Sequence, residues 1–173
     1  TCDAIYADMA RLPIDSNVPN ELPPYEVEDG VDHLPWGGYG VLRGPGRFAM
    51  LDAGPWGAGH QHADALQVIA WGNGGNWLCD PGKPVYDRTD VTQHVRSAAG
   101  HNVVLLDGEP HCPDPQVFHA DAPFPMAVVH DGHVKLAAAS RWAVNGNGDA
   151  FRHERLLLDV RECGWLTIDR LWT

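Results

Sequence analysis

Residues 126–140 read MAVVHDGHVKLAAAS, two apolar runs with Asp131-Gly132 between them. Val128-Val129 on one side and Val134 on the other flank a dipeptide that suits the positive φ of a type I′ turn. The stretch therefore predicts a β-hairpin centred on Asp131 and Gly132. Outward from it the same texture recurs, short apolar runs broken by Gly, Pro, Asn and Asp, from Trp36 to the end of the chain. Strands are expected over 39–43, 48–52, 65–71, 77–80, 102–107, 126–130, 134–140, 151–160 and 165–170. The breakers between them include Gly44-Pro45-Gly46, Gly72-Asn73-Gly74-Gly75 and Asn145-Gly146-Asn147-Gly148. Many short strands separated by turn residues indicate an all-β sandwich or barrel. In 151–160, Leu156, Leu158 and Val160 alternate only imperfectly with Arg155, Leu157 and Asp159, which suits a strand covered on both faces.

The remainder of the chain is less regular. Ile5, Met9 and Leu12 share a face at helical spacing, so a short helix is expected over 4–12, and no later stretch has a helical period. From Pro13 to Pro35 the chain is rich in Pro, Asn, Asp and Glu and reads as a connecting segment. The expected organisation is an irregular lead-in over 1–35 and one domain over 36–173, cut short at its C-terminal end. Because the chain starts at Thr1, it is expected to be a processed form or a piece of a larger protein.

Composition narrows the function. A net charge of −11 with 12 Lys and Arg argues against nucleic acid, whose binding rests on basic side chains meeting phosphates. No apolar run is long enough for a membrane helix, and Thr1-Cys2-Asp3 opens neither a basic leader nor an apolar one, so no membrane partner is expected. Cys2, Cys79, Cys112 and Cys163 form no Cys-x-x-Cys pair, which excludes a zinc ribbon. Buried free thiols are the favoured expectation, with one or two disulfides as the alternative. Of the 7 Trp residues, most are expected in the core.

Four candidate ligands lie in one block. His60 and His62 are two apart, which on a strand places both on one face. Asp80 closes a predicted strand before Pro81-Gly82, and His101 opens another. If these ends meet, two or three imidazoles and a carboxylate converge, a donor set that suits zinc ahead of iron or manganese. The plainer reading is that the histidines line a loop and Asp80 caps the Pro-Gly turn. The other seven histidines, His33, His94, His111, His119, His130, His133 and His153, are expected to be exposed or satisfied by neighbours. Gly54, His60 and His62 match the opening of a cupin metal motif, but Leu66 and Gln67 stand where that motif needs Glu, and no second motif follows.

Several blocks in order carry a stronger resemblance: Tyr39-Gly40-Val41-Leu42-Arg43, Asp52-x-Gly54, Gly59-His60-x-His62-x-Asp64-x-Leu66, Asp80-Pro81-Gly82, Arg96-Ser97, Gly100-His101-Asn102 and Ile168-Asp169-Arg170-Leu171. Together they resemble the heparinase II/III-like domain of bacterial polysaccharide lyases over roughly residues 36 to 172. Ala98-Ala99 before Gly100, Val103 after Asn102, and Lys83 depart from the family pattern. The resemblance implies an antiparallel β-sandwich with a zinc ion on His62, Asp80 and His101. It implies that His60 faces the sugar and takes part in β-elimination on a uronic-acid polysaccharide. It further implies a periplasmic or secreted setting and a separate N-terminal helical toroid domain carrying the principal base. Tyr86, Arg88 and Arg96 are candidate substrate contacts, Arg being suited to bidentate carboxylate binding, and Trp56 is a candidate sugar-stacking platform. The alternative is a carbohydrate-binding or structural module that keeps zinc as a staple.

Overall fold

A computed structural model describes residues 28–55, 62–82, 89–106, 108, 123–144, 147–161 and 163–173. The expected helix over 4–12, and Cys2, Trp56, His60, Tyr86, Arg88, His111, Cys112 and His119, lie outside these residues. Two antiparallel sheets face each other. One has five strands in the order β1 (Gly30–Leu34), β2 (Tyr39–Gly44), β3 (Arg47–Asp52), β4 (Val68–Gly72) and β5 (Gly75–Leu78). The other has four, β6 (Met126–His130), β7 (Val134–Val144), β8 (Ala150–Val160) and β9 (Gly164–Trp172). The chain is an all-β antiparallel sandwich.

The core between the sheets is built from alternate residues of central strands. Leu42, Ala49, Leu51, Val68 and Ala70 from the first sheet meet Ala137, Ala139 and Leu157 from the second. The sheets pack tightly where β2 faces β6 and β7. A Cβ on Gly40 would lie 2.7 Å from Met126 Sδ and 2.8 Å from Ala137 Cβ, so a side chain there would push the layers apart.

Polarity on β8 runs against simple patterning. Phe151, His153, Arg155, Leu157 and Asp159 are its inward, buried set, while Leu156, Leu158 and Val160 point outward and are half-buried. The inward charges are tolerated because each is paired. Asp159, 1% exposed, accepts from Lys135 Nζ at 3.1 Å and forms an ion pair with Arg47 Nη2 at 3.0 Å, and Lys135 also meets Asp29. Outward, Leu136 sits opposite Leu158, Leu158 opposite Leu166, and Leu156 opposite Ile168.

Three stretches differ from expectation. Gly30–Leu34, read as part of a connecting segment, pairs in register with β2, and Arg43 fastens it through both oxygens of Asp32. A helix, α1, spans Asp90–Arg96; the Thr89 side chain accepts from Thr92 N at its start and Asp90 fills its first turn. It escapes pattern reading because it buries just Thr92 and Val95, one of them polar. Of the predicted strand over 102–107, the described residues hold a single bridge residue, Leu106.

The hairpin at 126–140 forms, in register from Met126↔Ala139 to His130↔Lys135, but its turn is different. Gly132 has φ +90 while Asp131 does not have positive φ, and the Asp131 carboxylate instead accepts from the N–H groups of His133 and Val134. The type I′ signature falls on Asn73-Gly74, φ 52 and 76, in the two-residue link from β4 to β5. A Cβ added to Gly74 would meet no atom within 4 Å, so Gly74→Ala tests conformation alone. It is expected to lower stability by about 1 kcal/mol, read as a lower urea midpoint.

The aromatic expectation fails for most of the described tryptophans. Trp36, Trp77 and Trp142 are 95%, 64% and 69% exposed, while Trp165 packs against the core, where its indole reaches Gly72. The cysteine expectation also changes. Cys79 is disulfide-bonded, and Cys163, in the β8–β9 turn, is free and exposed.

Candidate metal centre

Three loops at one end of the first sheet hold the site. His62 precedes the turn that enters β4, Asp80 follows β5 by two residues, and His101 follows the 3-10 turn Ala98–Gly100 after α1. None of the three stands on a strand, so the same-face argument from alternation does not apply. Loops nevertheless bring them together: one ligand atom from each of His62, Asp80 and His101 lies within 4.8 Å of the others.

His101 is the fixed member. Its side chain is fully buried, Nδ1 lies 2.6 Å from Asp80 Oδ2, and its ring centroid is 5.1 Å from that of His62. The other Asp80 oxygen accepts from Gly82 N at 2.7 Å, so Asp80 caps the Pro81-Gly82 turn and faces the imidazole at once. One oxygen of Asp80 thus makes the turn cap of the plainer reading, and the other faces His101. Asn102 Nδ2 donates to Cys79 O at 3.0 Å, which ties the His101 loop to the residue before Asp80.

Two carboxylates that spacing alone did not single out complete the surroundings. Burial pushes Asp52 up to about 7 against the pull of the Gly54 N–H bond, and the charges of Asp64 and Asp80 raise it further. Burial likewise raises Asp64. Burial would raise Asp80 too, but hydrogen bonds from His101 and Gly82 outweigh it and hold this carboxyl below its ordinary value. The charge of Asp52, followed by burial, raises Tyr39, its cross-strand partner. Asp52 and Asp64 stand in the quoted motif blocks, but nothing in their spacing marks them as neighbours of His101.

These residues fit a bound cation. His101 Nε2 is buried without a hydrogen-bond partner among the described residues, the donors are two imidazoles and a carboxylate, and further carboxylates crowd the same end. His153, as expected, is satisfied by a neighbour, its Nε2 donating to Asp169 Oδ1 at 2.7 Å. Arg96 ends α1, and its carbonyl accepts from Ala63 N at 2.9 Å, beside His62.

Behind the loops, Arg155 grips Asp169 with Nε and Nη2 at 2.8 and 3.0 Å, and its Nη1 reaches the carbonyls of Leu66 and Asn102 at 2.7 and 2.6 Å. Burial would raise Asp169, yet hydrogen bonds from His153 and Arg155 overcome it and bring the carboxyl down from 3.8 to about 2. A depressed carboxyl stabilises the fold above its unfolded value, and that stabilisation is lost as pH falls through the folded one. Urea midpoints are therefore expected to fall between about pH 4 and pH 2, and to fall less steeply there in Asp169→Asn.

The fold agrees with comparisons to known proteins. The sequence pattern of the family described as heparinase II/III-like, C-terminal, matches residues 28–171. Among solved structures, the chain resembles a heparinase III gene product, with 21% identity and TM-score 0.62, over 87% of this chain and 23% of that one. It also resembles the heparan sulfate lyase HepC from Pedobacter heparinus, with 18% identity and TM-score 0.62, over 86% of this chain and 22% of that one. The chain thus spans less than a quarter of the length of either. No curated protein matches the sequence. No helix among the described residues is long and apolar enough to cross a membrane. With a family match that takes in both sheets and all three converging residues, the chain belongs to the heparinase II/III-like C-terminal family.

Proposed function

We propose that this domain is the β-sandwich part of a polysaccharide lyase that cleaves uronic-acid-containing polysaccharide by β-elimination. The observation that carries the reading is the convergence of His62, Asp80 and His101 within a domain of this family. These residues would hold a divalent cation, with zinc favoured by the nitrogen and oxygen donors. Bound there, zinc supplies positive charge among Asp52, Asp64 and Asp80 and braces the three loops. His101 must give up either its proton shared with Asp80 or its unpartnered Nε2 position to the ion, so protons compete with the cation and binding is expected to weaken as pH falls.

In the elimination, a neutralised uronate carboxyl acidifies C5–H and a base takes that proton. The electron pair forms the C4=C5 bond, and the C4–O bond to the neighbouring sugar breaks with the glycosidic oxygen as leaving group. His60 serves as proton carrier or hydrogen-bonding group beside the acidic sugar, a role that needs a pKa near working pH. Trp56 stacks on a sugar face, and Tyr86, Arg88 and Arg96 contact the acidic ring. A separate helical toroid domain carries the principal base. The short span of this chain against its structural relatives supports that division of labour, and the likeness to a heparinase and a heparan sulfate lyase supports a glycosaminoglycan substrate. The Cys79 disulfide supports a periplasmic or secreted setting.

The test is the whole polypeptide incubated with uronate polysaccharides and followed by the absorbance of unsaturated product. Product growth supports the reading. Zinc retained with no product on any uronate polysaccharide would overturn it in favour of a binding module stapled by the metal.

A further inference from the structure

We propose that Arg155 is a positioning residue for the three-loop site, fixing the separation of His62 and His101 from the opposite sheet. This rests on the metal reading above. The fork of its guanidinium is divided between two tasks. Nε and Nη2 lock onto the two oxygens of Asp169 on β9, and both hydrogens of Nη1 remain for the carbonyls of Leu66 and Asn102. Those carbonyls belong to the two segments that carry His62 and His101.

The links from there to the ligands are short. Asn102 adjoins His101, and its side chain donates to Cys79 O, beside Asp80. Leu66 N donates to Asp52 O, Gln67 N to Asp64 O, and Ala63 N, next to His62, to Arg96 O. One buried cation, 6% exposed, therefore bonds the segments of His62 and His101 and is linked to that of Asp80 through Asn102.

A second observation is that the backbone is strained at one of the residues Arg155 holds. Leu66 has φ 63 and no exposure, a backbone conformation that a bulky residue adopts only where its surroundings impose it. Asp52 holds its N–H and Arg155 its carbonyl. A Lys at 155 could meet Asp169 or the carbonyls but has no planar fork to do both.

The experiment compares the full chain with Arg155→Lys and Arg155→Met, measuring zinc affinity by competition with a chromophoric chelator and amide exchange in the metal-free protein. Both variants are expected to bind zinc about 10- to 100-fold more weakly, the usual effect of removing an outer support from a metal ligand. Exchange is expected to accelerate over 63–67 while β7 and β8 keep their protection. Zinc affinity within about twofold of wild type, with unchanged exchange over 63–67, overturns the proposal. So does an equal rise of exchange through both sheets, which would make Arg155 a general stabiliser. Arg155→Lys keeps the charge and decides the matter if Arg155→Met does not fold. Failure of the wild type to bind zinc removes the metal reading separately, and exchange over 63–67 then judges Arg155.

Discussion

Replacing His101 by alanine is expected to weaken zinc binding by more than about 100-fold, because loss of a ligand exceeds the roughly 10- to 100-fold cost of losing an outer support. His101 is the buried hinge of the set: its side chain is fully covered and it holds the oxygen of Asp80 at 2.6 Å. Without the imidazole, Asp80 keeps its bond to Gly82 but loses the partner that lowers its carboxyl. His62→Ala is expected to act in the same direction with less disturbance to the fold, since His62 is only half-buried. The measurement is metal content per chain after dialysis against a weak chelator. Stoichiometric zinc in both variants would show that the cluster is not a site.

His60→Ala in the whole protein is expected to slow elimination by about 100- to 10,000-fold, the range for loss of a positioned acid–base group. Zinc content should not change, because His60 is assigned to the sugar and not to the ion. The two variants thus separate the block Gly59-His60-x-His62 into two functions carried two residues apart. An unchanged rate in His60→Ala sinks the catalytic assignment, whatever happens to the metal.

Much of the architecture was legible in the sequence because strand content follows from breakers and apolar runs. The strands from Met126 to His130 and from Phe48 to Asp52 stand within one residue of expectation. The His62, Asp80 and His101 set was legible through ordered motif blocks, which carry information that spacing does not. What was hidden is instructive. The helix Asp90–Arg96 buries too few residues to produce a period. The strand Gly30–Leu34 is held by Asp32 and Arg43, a charged pair that reads as surface in a linear sequence. The inward face of β8 was hidden because Arg155 and Asp159 acquire partners 14 and 24 residues away, so polarity along the chain gives no sign of burial. The same long-range pairing hides the link from Arg155 to the site.

The outward leucines of β8 carry a consequence for how the domain behaves in solution. Leu166 and Val129, each 51% exposed, extend that apolar face to both margins of the sheet. Water meets the margins of an apolar layer, and the shared net charge of −11 opposes association through it. Ionic strength screens that repulsion over about 8 Å at physiological salt and leaves the apolar attraction intact. Salt, or a pH near the isoelectric point of about 5.1, is therefore expected to weaken the repulsion that opposes association through this face.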